Sequence, residues 1–169
     1  MDNQNWENAN FNLNIFESNS RNKNLGCFLN DTSYDFQHVF EFRDVSWFTQ
    51  ELYDVLAKYR QSLCIVSAPG NIPEVIKATS NTAYVRFHGK SSWYNDNYSD
   101  ETLQKWKHEL ELLPAQRLYA FFNYTNASAV NNGLYIASLF GTAPQKSQDS
   151  KQMVLFWFNY LIMQNQSWL

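Results

Sequence analysis

The fold of this chain is decided by the stretch Ala83-Tyr84-Val85-Arg86-Phe87-His88-Gly89. Tyr84, Arg86 and His88 fall on alternate positions and the residues between them are apolar, which is the two-residue period of a β-strand. One face of the predicted strand therefore carries polar groups, and the other face is apolar. Because the strand stops at Gly89, it delivers a guanidinium and an imidazole to one place, and we expect a functional site there.

Around this stretch, the pattern of a strand followed by a helix or loop recurs along the chain. Predicted strands cover residues 39–43, 63–66, 83–88 and 117–123, and predicted helices cover residues 50–60, 100–113 and 127–140. Thr49 and Ser99 are the predicted N-caps of the first two helices. Val130, Leu134 and Ala137 are expected to face inward from the last helix. Four such units imply parallel strands with right-handed crossovers, so the predicted fold class is α/β.

The two ends of the chain differ in composition from the middle. Residues 1–24 contain nine asparagines and few apolar side chains, which predicts a flexible arm. Residues 25–29 suggest a short strand that opens the predicted main domain, residues 25–144. Residues 145–169 are interpreted as a polar linker followed by an apolar segment that packs as a helix or strand.

Composition narrows the class of protein. The chain has 169 residues, 44% of them hydrophobic, which is enough for a core. A complete eight-unit α/β barrel needs roughly 200 residues or more.

The formal net charge of −3 gives no general attraction to nucleic acid or to an anionic membrane. The apolar run 153–163 is shorter than the roughly 20 residues of a membrane span. Without a signal peptide, and with Cys27 and Cys64 far apart, we expect a cytoplasmic protein with reduced thiols.

Polar side chains gather at the carboxyl ends of three predicted strands. Glu41 and Arg43 end one strand. Arg86 and His88 end a second strand, and Asn123 ends a third. Because the carboxyl ends of neighbouring parallel strands meet at one edge of a sheet, we expect these groups to converge.

Aromatic residues lie in the loops next to these strand ends, namely Trp47, Trp93, Tyr94 and Tyr98. Cationic and aromatic groups together suit an anionic ligand with a flat or sugar-like body, and they also suit single-stranded nucleic acid. A structural interpretation stands beside this one. In it, Glu41 and the two arginines form an internal ion-pair network, and Trp47 and Trp93 serve packing.

Other kinds of site have little support in the sequence. The His, Glu and Asp residues lack the tight spacing of metal ligands, so we predict no metal and no cofactor. Phosphate-binding glycine loops and the G-x-S-x-G motif do not occur. A nucleophile pair of Cys64 with His88 or His108 stays open, although nothing in the sequence favours it.

Three blocks of sequence resemble, in order, the YecE-like family (domain of unknown function 72). Phe40-Glu41-Phe42-Arg43-Asp44-Val45-Ser46-Trp47 resembles the family's E-F-R-x-x-S-W segment. Tyr84-Val85-Arg86-Phe87-His88-Gly89, with Tyr94, Tyr98-Ser99, Leu103 and Trp106, resembles its Y-x-R-x-H-G…Y…Y-S…L…W block. Tyr119-Ala120-Phe121-Phe122-Asn123, with Ala129 and Asn132, resembles its Y-x-x-F-N-N…A…N-A segment. Together the blocks cover about residues 36–141.

The resemblance implies a TIM-type barrel, of which this chain matches the C-terminal half only. The expected fold is therefore a partial (β/α) barrel of parallel strand–helix repeats. The family has no settled activity, and its barrel resembles sugar isomerases and apurinic-site nucleases at the level of the fold alone. A half barrel leaves strand edges open, so we expect either self-association or residues 153–169 to cover them.

Two main hypotheses about function follow. In the first, the two arginines clamp a phosphate- or sugar-bearing anion, the histidine acts as acid or base, and the glutamate orients it or accepts a proton. The predicted catalytic residues are His88 and Glu41, and the predicted ligand-binding residues are Arg43, Arg86, Asn123, Trp47, Tyr94 and Tyr98. In the second hypothesis, the chain is a non-catalytic remnant or a self-associating binding module. Processing of nucleic acid, by analogy of fold, is a further alternative.

Overall fold

Parallel strands alternating with helices build one sheet in this chain. A computed structural model describes residues 11–16, 25, 29, 37–123, 127–141, 145–146 and 154–159. The strands are β1 (Phe11–Phe16), β2 (Gln37–Phe42), β3 (Ser62–Ser67), β4 (Thr82–Phe87), β5 (Arg117–Phe122), β6 (Gln145–Lys146) and β7 (Val154–Asn159). The helices are α1 (Gln50–Lys58), α2 (Asp100–Glu111) and α3 (Ala127–Leu139), and a short 3-10 turn covers Val45–Trp47. The predicted α/β fold class is confirmed.

Strands β1 to β5 lie side by side in chain order, and each pairs in parallel with the next. Within the described residues the full order is β1-β2-β3-β4-β5-β7-β6. Strand β7 pairs antiparallel with β5, and β6 pairs antiparallel with β7. Because the five parallel strands point the same way, the residues that follow β2, β4 and β5 are brought to one edge of the sheet.

Both faces of strands β2 to β5 are buried. One face packs against the three helices through Phe40, Phe42, Leu63, Ile65, Val85, Phe87, Ala120 and Phe122. The opposite face carries Val39, Cys64, Val66, Tyr84, Tyr119 and Phe121. Burial on both faces explains the continuous apolar run of β3. Glu41 and Arg86 lie two residues after Val39 and Tyr84, so they belong to this second face, at its carboxyl edge.

Both predicted N-caps are confirmed. The Thr49 hydroxyl oxygen accepts a hydrogen bond of 3.3 Å from the backbone N–H of Leu52 at the start of α1. The Ser99 hydroxyl oxygen accepts one of 3.3 Å from the backbone N–H of Thr102 at the start of α2. Each bond satisfies an N–H that the first turn of a helix leaves without a partner. Helix α1 ends at Lys58, slightly before the predicted end at residue 60.

The cap of α1 allows a first prediction. We expect Thr49→Ala to lower the free energy of unfolding by about 1 kcal/mol, because the Leu52 N–H loses its acceptor. Urea denaturation followed by circular dichroism measures this difference. Thr49→Ser keeps the hydroxyl and should retain most of the stability; equal losses in both variants would show that the cap contributes nothing.

The predicted inward face of α3 is wrong for two of its three residues. Ala137 is buried, whereas Val130 and Leu134 are exposed. A buried polar contact sets the rotation of this helix: Asn132 Oδ1 accepts from the Tyr98 N–H at 3.1 Å, and its Nδ2 donates to the Tyr98 carbonyl at 2.9 Å. The observed rotation buries Ala129, Ile136 and Ala137 while Asn132 makes both hydrogen bonds.

The N-terminal prediction is wrong in two places. Strand β1 lies inside the segment expected to be a flexible arm, and its backbone groups pair with β2 from Phe11 opposite Gln37 to Phe16 opposite Phe42. Leu25 and Leu29 are helical and buried rather than extended. Both side chains join the cluster around Phe40 and Leu56. The rest of residues 1–24 lies outside the described residues.

The sheet continues past residue 144, where the main domain was predicted to end. Residues Val154–Asn159 of the apolar segment, for which the sequence left a helix and a strand open, form strand β7. Its antiparallel pairing, with Tyr119 opposite Trp157, places it beside β5. The remainder of residues 145–169 lies outside the described residues. Among the helices of the described ranges, none has the length and apolar character to cross a membrane.

Candidate ligand-binding site

Glu41 is the centre of a cluster of charged groups at the carboxyl edge of the sheet. It lies near the end of β2 and its side chain is 0% exposed. Arg43 Nε donates to Glu41 Oε1 at 2.7 Å, and Arg86 Nη1 donates to Oε2 at 2.5 Å. The carboxylate is therefore held by two guanidinium groups from strands that are separated by β3.

Arg86 connects this carboxylate to the end of β5. Its Nε donates to Asn123 Oδ1 at 3.1 Å. The backbone N–H of Asn123 donates to the Phe87 carbonyl at 2.8 Å, which continues the β4–β5 ladder past the end of the strand. The polar residues of three strand ends thus meet, as the alternation along the strands predicted.

His88 lies beside the ion pairs with its ring completely buried. The imidazole Nε2 is 3.7 Å from Glu41 Oε1, which is close enough for charge interaction but too long for a hydrogen bond. Among the residues that the structure describes, neither ring nitrogen of His88 has a hydrogen-bond partner. A buried polar group without a partner is unusual, because its desolvation is not offset.

The electrostatics of the cluster keep Glu41 ionised. Burial acts to raise the pKa of this carboxyl, but the approach of His88 and the charges of Arg86 and Arg43 prevail and lower the pKa to about 2. The Glu41 carboxylate is therefore negatively charged throughout the physiological range.

Two of the four loop aromatics lie at the cluster. The ring centroids of Trp93 and Tyr94 are 5.5 Å and 5.4 Å from that of His88. The Arg43 guanidinium carbon lies over the Trp93 ring, 5.7 Å from its centroid.

The other two, Trp47 and Tyr98, belong to the core on the helix side, so the structure does not bring these predicted ligand-binding residues to the cluster. Trp47 packs on Phe42 with centroids 4.9 Å apart. Tyr98 meets Phe87 edge to face at 5.3 Å, and its hydroxyl donates to Ser67 Oγ at 2.9 Å.

The loop between His88 and Tyr98 is held by its own backbone contacts. Asp96 accepts hydrogen bonds from the backbone N–H groups of Lys90, Ser91 and Asn97. Burial acts to raise the pKa of Asp96, but these three N–H groups lower it. Gly89 has a φ of +106°, where side chains are strongly disfavoured. The loop is therefore an ordered part of the site.

Cys64 is a member of the cluster that the sequence interpretation did not place there. Its Sγ lies 3.7 Å from Glu41 Oε2. Cys64 and Val66 are two residues apart and therefore lie on the same face of β3, the face opposite the helices. This two-residue spacing is the sequence signal that could have placed Cys64 beside Glu41. Burial raises the pKa of the thiol and the charge of Glu41 raises it further, which disfavours the thiolate that a Cys64–His88 nucleophile pair requires. His108, the other histidine considered as a partner of Cys64, is exposed on α2, whereas Cys64 is buried.

A second missed feature joins the two loops that flank the cluster. Ser67 Oγ donates to Glu74 Oε2 at 3.1 Å, and Lys90 Nζ donates to the same oxygen at 2.7 Å. The loop after β3 is thereby tied to the loop after β4. No local pattern relates Glu74 to Lys90, so the sequence contains no signal for this contact.

Metal-binding geometry is not found in this part of the chain. Over the described ranges, no group of three or more His, Cys, Asp or Glu side chains is arranged to hold a metal ion. The acidic group nearest to His88 is already engaged by two arginines, which compete with a cation for its oxygens.

Comparison with known proteins places the fold and the family. The family model described as "Protein of unknown function DUF72" matches residues 12–154. The solved structure of a DUF72 family protein from Thermotoga maritima is similar, with a TM-score of 0.60 and 21% sequence identity. That similarity covers 77% of this chain and 58% of the Thermotoga protein, so this chain spans less than two thirds of that protein's length. No curated protein matches the sequence.

The family match reaches further at both ends than the three blocks that suggested it. It begins within β1 and ends at the start of β7. The structural likeness is consistent with a partial barrel, whereas correspondence to the C-terminal half of a family barrel stays a prediction. The match covers most of the chain, and the chain belongs to the DUF72 family of proteins of unknown function.

Proposed function

We propose that the chain binds an anionic, phosphate- or sugar-bearing ligand at the cluster of Glu41, Arg43, Arg86, His88 and Asn123, with His88 acting as the acid or base. The observation that carries this proposal is the fully buried His88 ring, whose two nitrogens have no partner among the described residues. A ligand that hydrogen-bonds these nitrogens would offset the cost of burying them.

The balance of charge supports an anion as the ligand. Two guanidinium groups stand against the single carboxylate of Glu41, so these three groups carry a net positive charge. The hydrogen bonds described for Arg86 engage its Nε and Nη1, and a guanidinium has five N–H groups. Guanidinium groups bind phosphate and carboxylate oxygens in a bidentate manner, which gives both affinity and orientation.

The position of Glu41 supports an acid–base role for the neighbouring histidine. A carboxylate that stays ionised 3.7 Å from the ring stabilises a proton on that ring when one is transferred. Because the two arginines hold the carboxylate in place, it can also fix the orientation of the imidazole. In this arrangement His88 exchanges a proton with the ligand, and the Glu41 carboxylate stabilises the positive charge that a proton brings to the His88 ring.

Binding of inorganic phosphate, measured by isothermal titration calorimetry, tests the proposal. We expect Arg43→Gln to weaken phosphate binding by at least about tenfold, because a charge-assisted contact is lost. Arg117→Gln is the matched control: Arg117 is at the amino end of β5, where it bonds Asn81, so its replacement should leave the affinity within about twofold.

The role of His88 has its own measurement in the same experiment. Binding enthalpies determined in two buffers of different ionisation heat report the protons taken up with the phosphate. We expect the number of protons exchanged per phosphate bound to differ between the wild-type chain and His88→Gln. The proposal is overturned if phosphate does not bind to the wild-type chain, or if Arg43→Gln and Arg117→Gln bind it equally well.

A further inference from the structure

We infer that Trp93 selects the ligand, and that the ligand class is a phosphorylated monosaccharide whose ring packs on the exposed part of the Trp93 side chain. This inference rests on the proposed function and goes beyond it by naming the body of the ligand. It assigns ligand specificity to Trp93, for which the sequence allowed two roles: packing within the fold, or stacking on a ligand.

The first argument is the exposure of two aromatic rings beside a buried polar cluster. Trp93 is 39% exposed and Tyr94 is 42% exposed, whereas the His88 ring next to them is fully buried. The rings of Trp93 and Tyr94 are tilted, with centroids 5.6 Å apart, and together they form an aromatic wall beside the cluster. Large exposed aromatic rings beside convergent polar groups are typical of ligand sites.

The second argument is that the loop holds this wall in place before any ligand arrives. The backbone of Tyr94 is left-handed, with a φ of 58°, which costs about 1 kcal/mol for a residue with a side chain. Its N–H donates to the His88 carbonyl at 2.7 Å, which ties the strained residue to the end of β4. Strain retained in a well-bonded loop is characteristic of functional positions.

The third argument is the short distance between the anion-binding group and the wall. Arg43 contacts both the Glu41 carboxylate, at 2.7 Å, and the Trp93 ring, at 5.7 Å from the centroid. A phosphate bound by Arg43 therefore lies next to the wall. A sugar ring joined to its phosphate by few bonds fits this spacing. A free sugar phosphate has that form and so does the ribose of a nucleotide, so the two ligands have to be compared directly.

The fourth argument is the kind of polar group that is left available. A neutral imidazole offers one donor and one acceptor, and a hydroxyl group can satisfy either. Asn123 uses its Oδ1 for Arg86, which leaves its Nδ2 to donate to a ligand oxygen. Hydroxyl groups of a sugar fit these partners. The C–H groups on the face of the sugar ring carry slight positive charge and pack well against the electron-rich face of an aromatic ring.

Calorimetric titration with four probes tests the inference: inorganic phosphate, glucose 6-phosphate, ribose 5-phosphate and adenosine 5′-monophosphate. We expect at least one sugar phosphate to bind the wild-type chain about tenfold more tightly than inorganic phosphate. In Trp93→Ala the ratio of these two affinities should fall to about one, and Trp93→Phe should keep most of it because a ring remains.

The outcomes separate this inference from the function it rests on. If inorganic phosphate does not bind the wild-type chain, both proposals fail. If inorganic phosphate binds but neither sugar phosphate binds more tightly, or if Trp93→Ala keeps the wild-type ratio, only the inference about Trp93 is overturned. Tighter binding of adenosine 5′-monophosphate than of both sugar phosphates also overturns it, in favour of a nucleotide ligand.

Discussion

Glu41→Gln is expected to lower the free energy of unfolding by about 3–5 kcal/mol, the usual cost of removing one partner of a buried ion pair. Glutamine keeps the size of the side chain but removes its charge. Arg86, whose side chain is only 13% exposed, then remains as a positive group beside Arg43 without the carboxylate between them. The like charges repel, and the hydrogen bonds that Arg86 Nη1 and Arg43 Nε donate to residue 41 become weaker.

Urea denaturation at pH 7 measures this loss, and the chain offers a matched control. Glu74→Gln removes an equivalent carboxylate from the partly exposed pair with Lys90, at 2.7 Å. Surface pairs contribute about 0–1 kcal/mol, so the control variant should remain close to the wild-type stability. Equal losses in the two variants would contradict the description of Glu41 as a buried, doubly paired carboxylate.

The pH dependence of stability gives the same prediction a second readout. The pKa of Glu41 is lowered from 4.5 to about 2 in the folded chain, so the folded state favours the ionised form. This stabilisation is fully present above about pH 4.5 and is lost as the pH falls towards 2, by about 3 kcal/mol. Because Glu41→Gln lacks the titrating group, the difference in stability between wild type and variant should shrink over that range. A difference that stays constant from pH 6 to pH 2 would contradict the lowered pKa.

Gly89→Ala is expected to cost about 2–4 kcal/mol, from backbone strain and overlap together. Gly89 has a φ of +106°, a conformation that residues with a Cβ rarely adopt. An added Cβ would also overlap the backbone carbonyl oxygen of Ser92 and lie 3.0 Å from Asp96 Cβ. The carbonyl belongs to the backbone, so relief requires the whole turn before Trp93 to move.

Gly70→Ala separates the two causes of this loss. Gly70 has a similar φ of +91°, but an added Cβ there meets nothing within 4 Å. We expect a cost of about 1 kcal/mol at Gly70, from backbone strain alone. Thermal unfolding of both variants gives the comparison. If the two substitutions cost the same, the close approach of Ser92 to Gly89 is not a constraint on the loop.

Local patterns were sufficient to predict the fold class and the meeting of the polar strand ends. The two-residue period of β4 placed Arg86 and His88 on one face, and the structure has them there. Thr49 and Ser99 were identified as caps because an N-cap depends only on its own side chain and the next three residues. The convergence of Glu41, Arg43, Arg86 and Asn123 followed from parallel strands that end at one edge, and the structure shows the four in contact.

Predictions failed where distant segments decide the outcome. Strand β1 was missed although Phe11-Asn12-Leu13-Asn14-Ile15 alternates with the two-residue period of a strand, because the segment around it is rich in asparagine. Trp47 and Tyr98 are near the strand ends along the chain, but packing against Phe42 and Phe87 turns them into the core. The rotation of α3 depends on Asn132, whose partner is 34 residues away.

The sequence by itself determined which residues alternate along β4, where two helices begin, and that the polar groups belong to strand ends, because these are properties of a few consecutive residues. Only the tertiary structure decided that Glu41 is clamped by two arginines, that the His88 nitrogens have no partner among the described residues, and that Trp93 rather than Trp47 borders the site. These facts depend on distances across strands that are far apart in the chain. Such distances are set by the pairing register and by the packing of whole elements, which no short pattern of residues encodes.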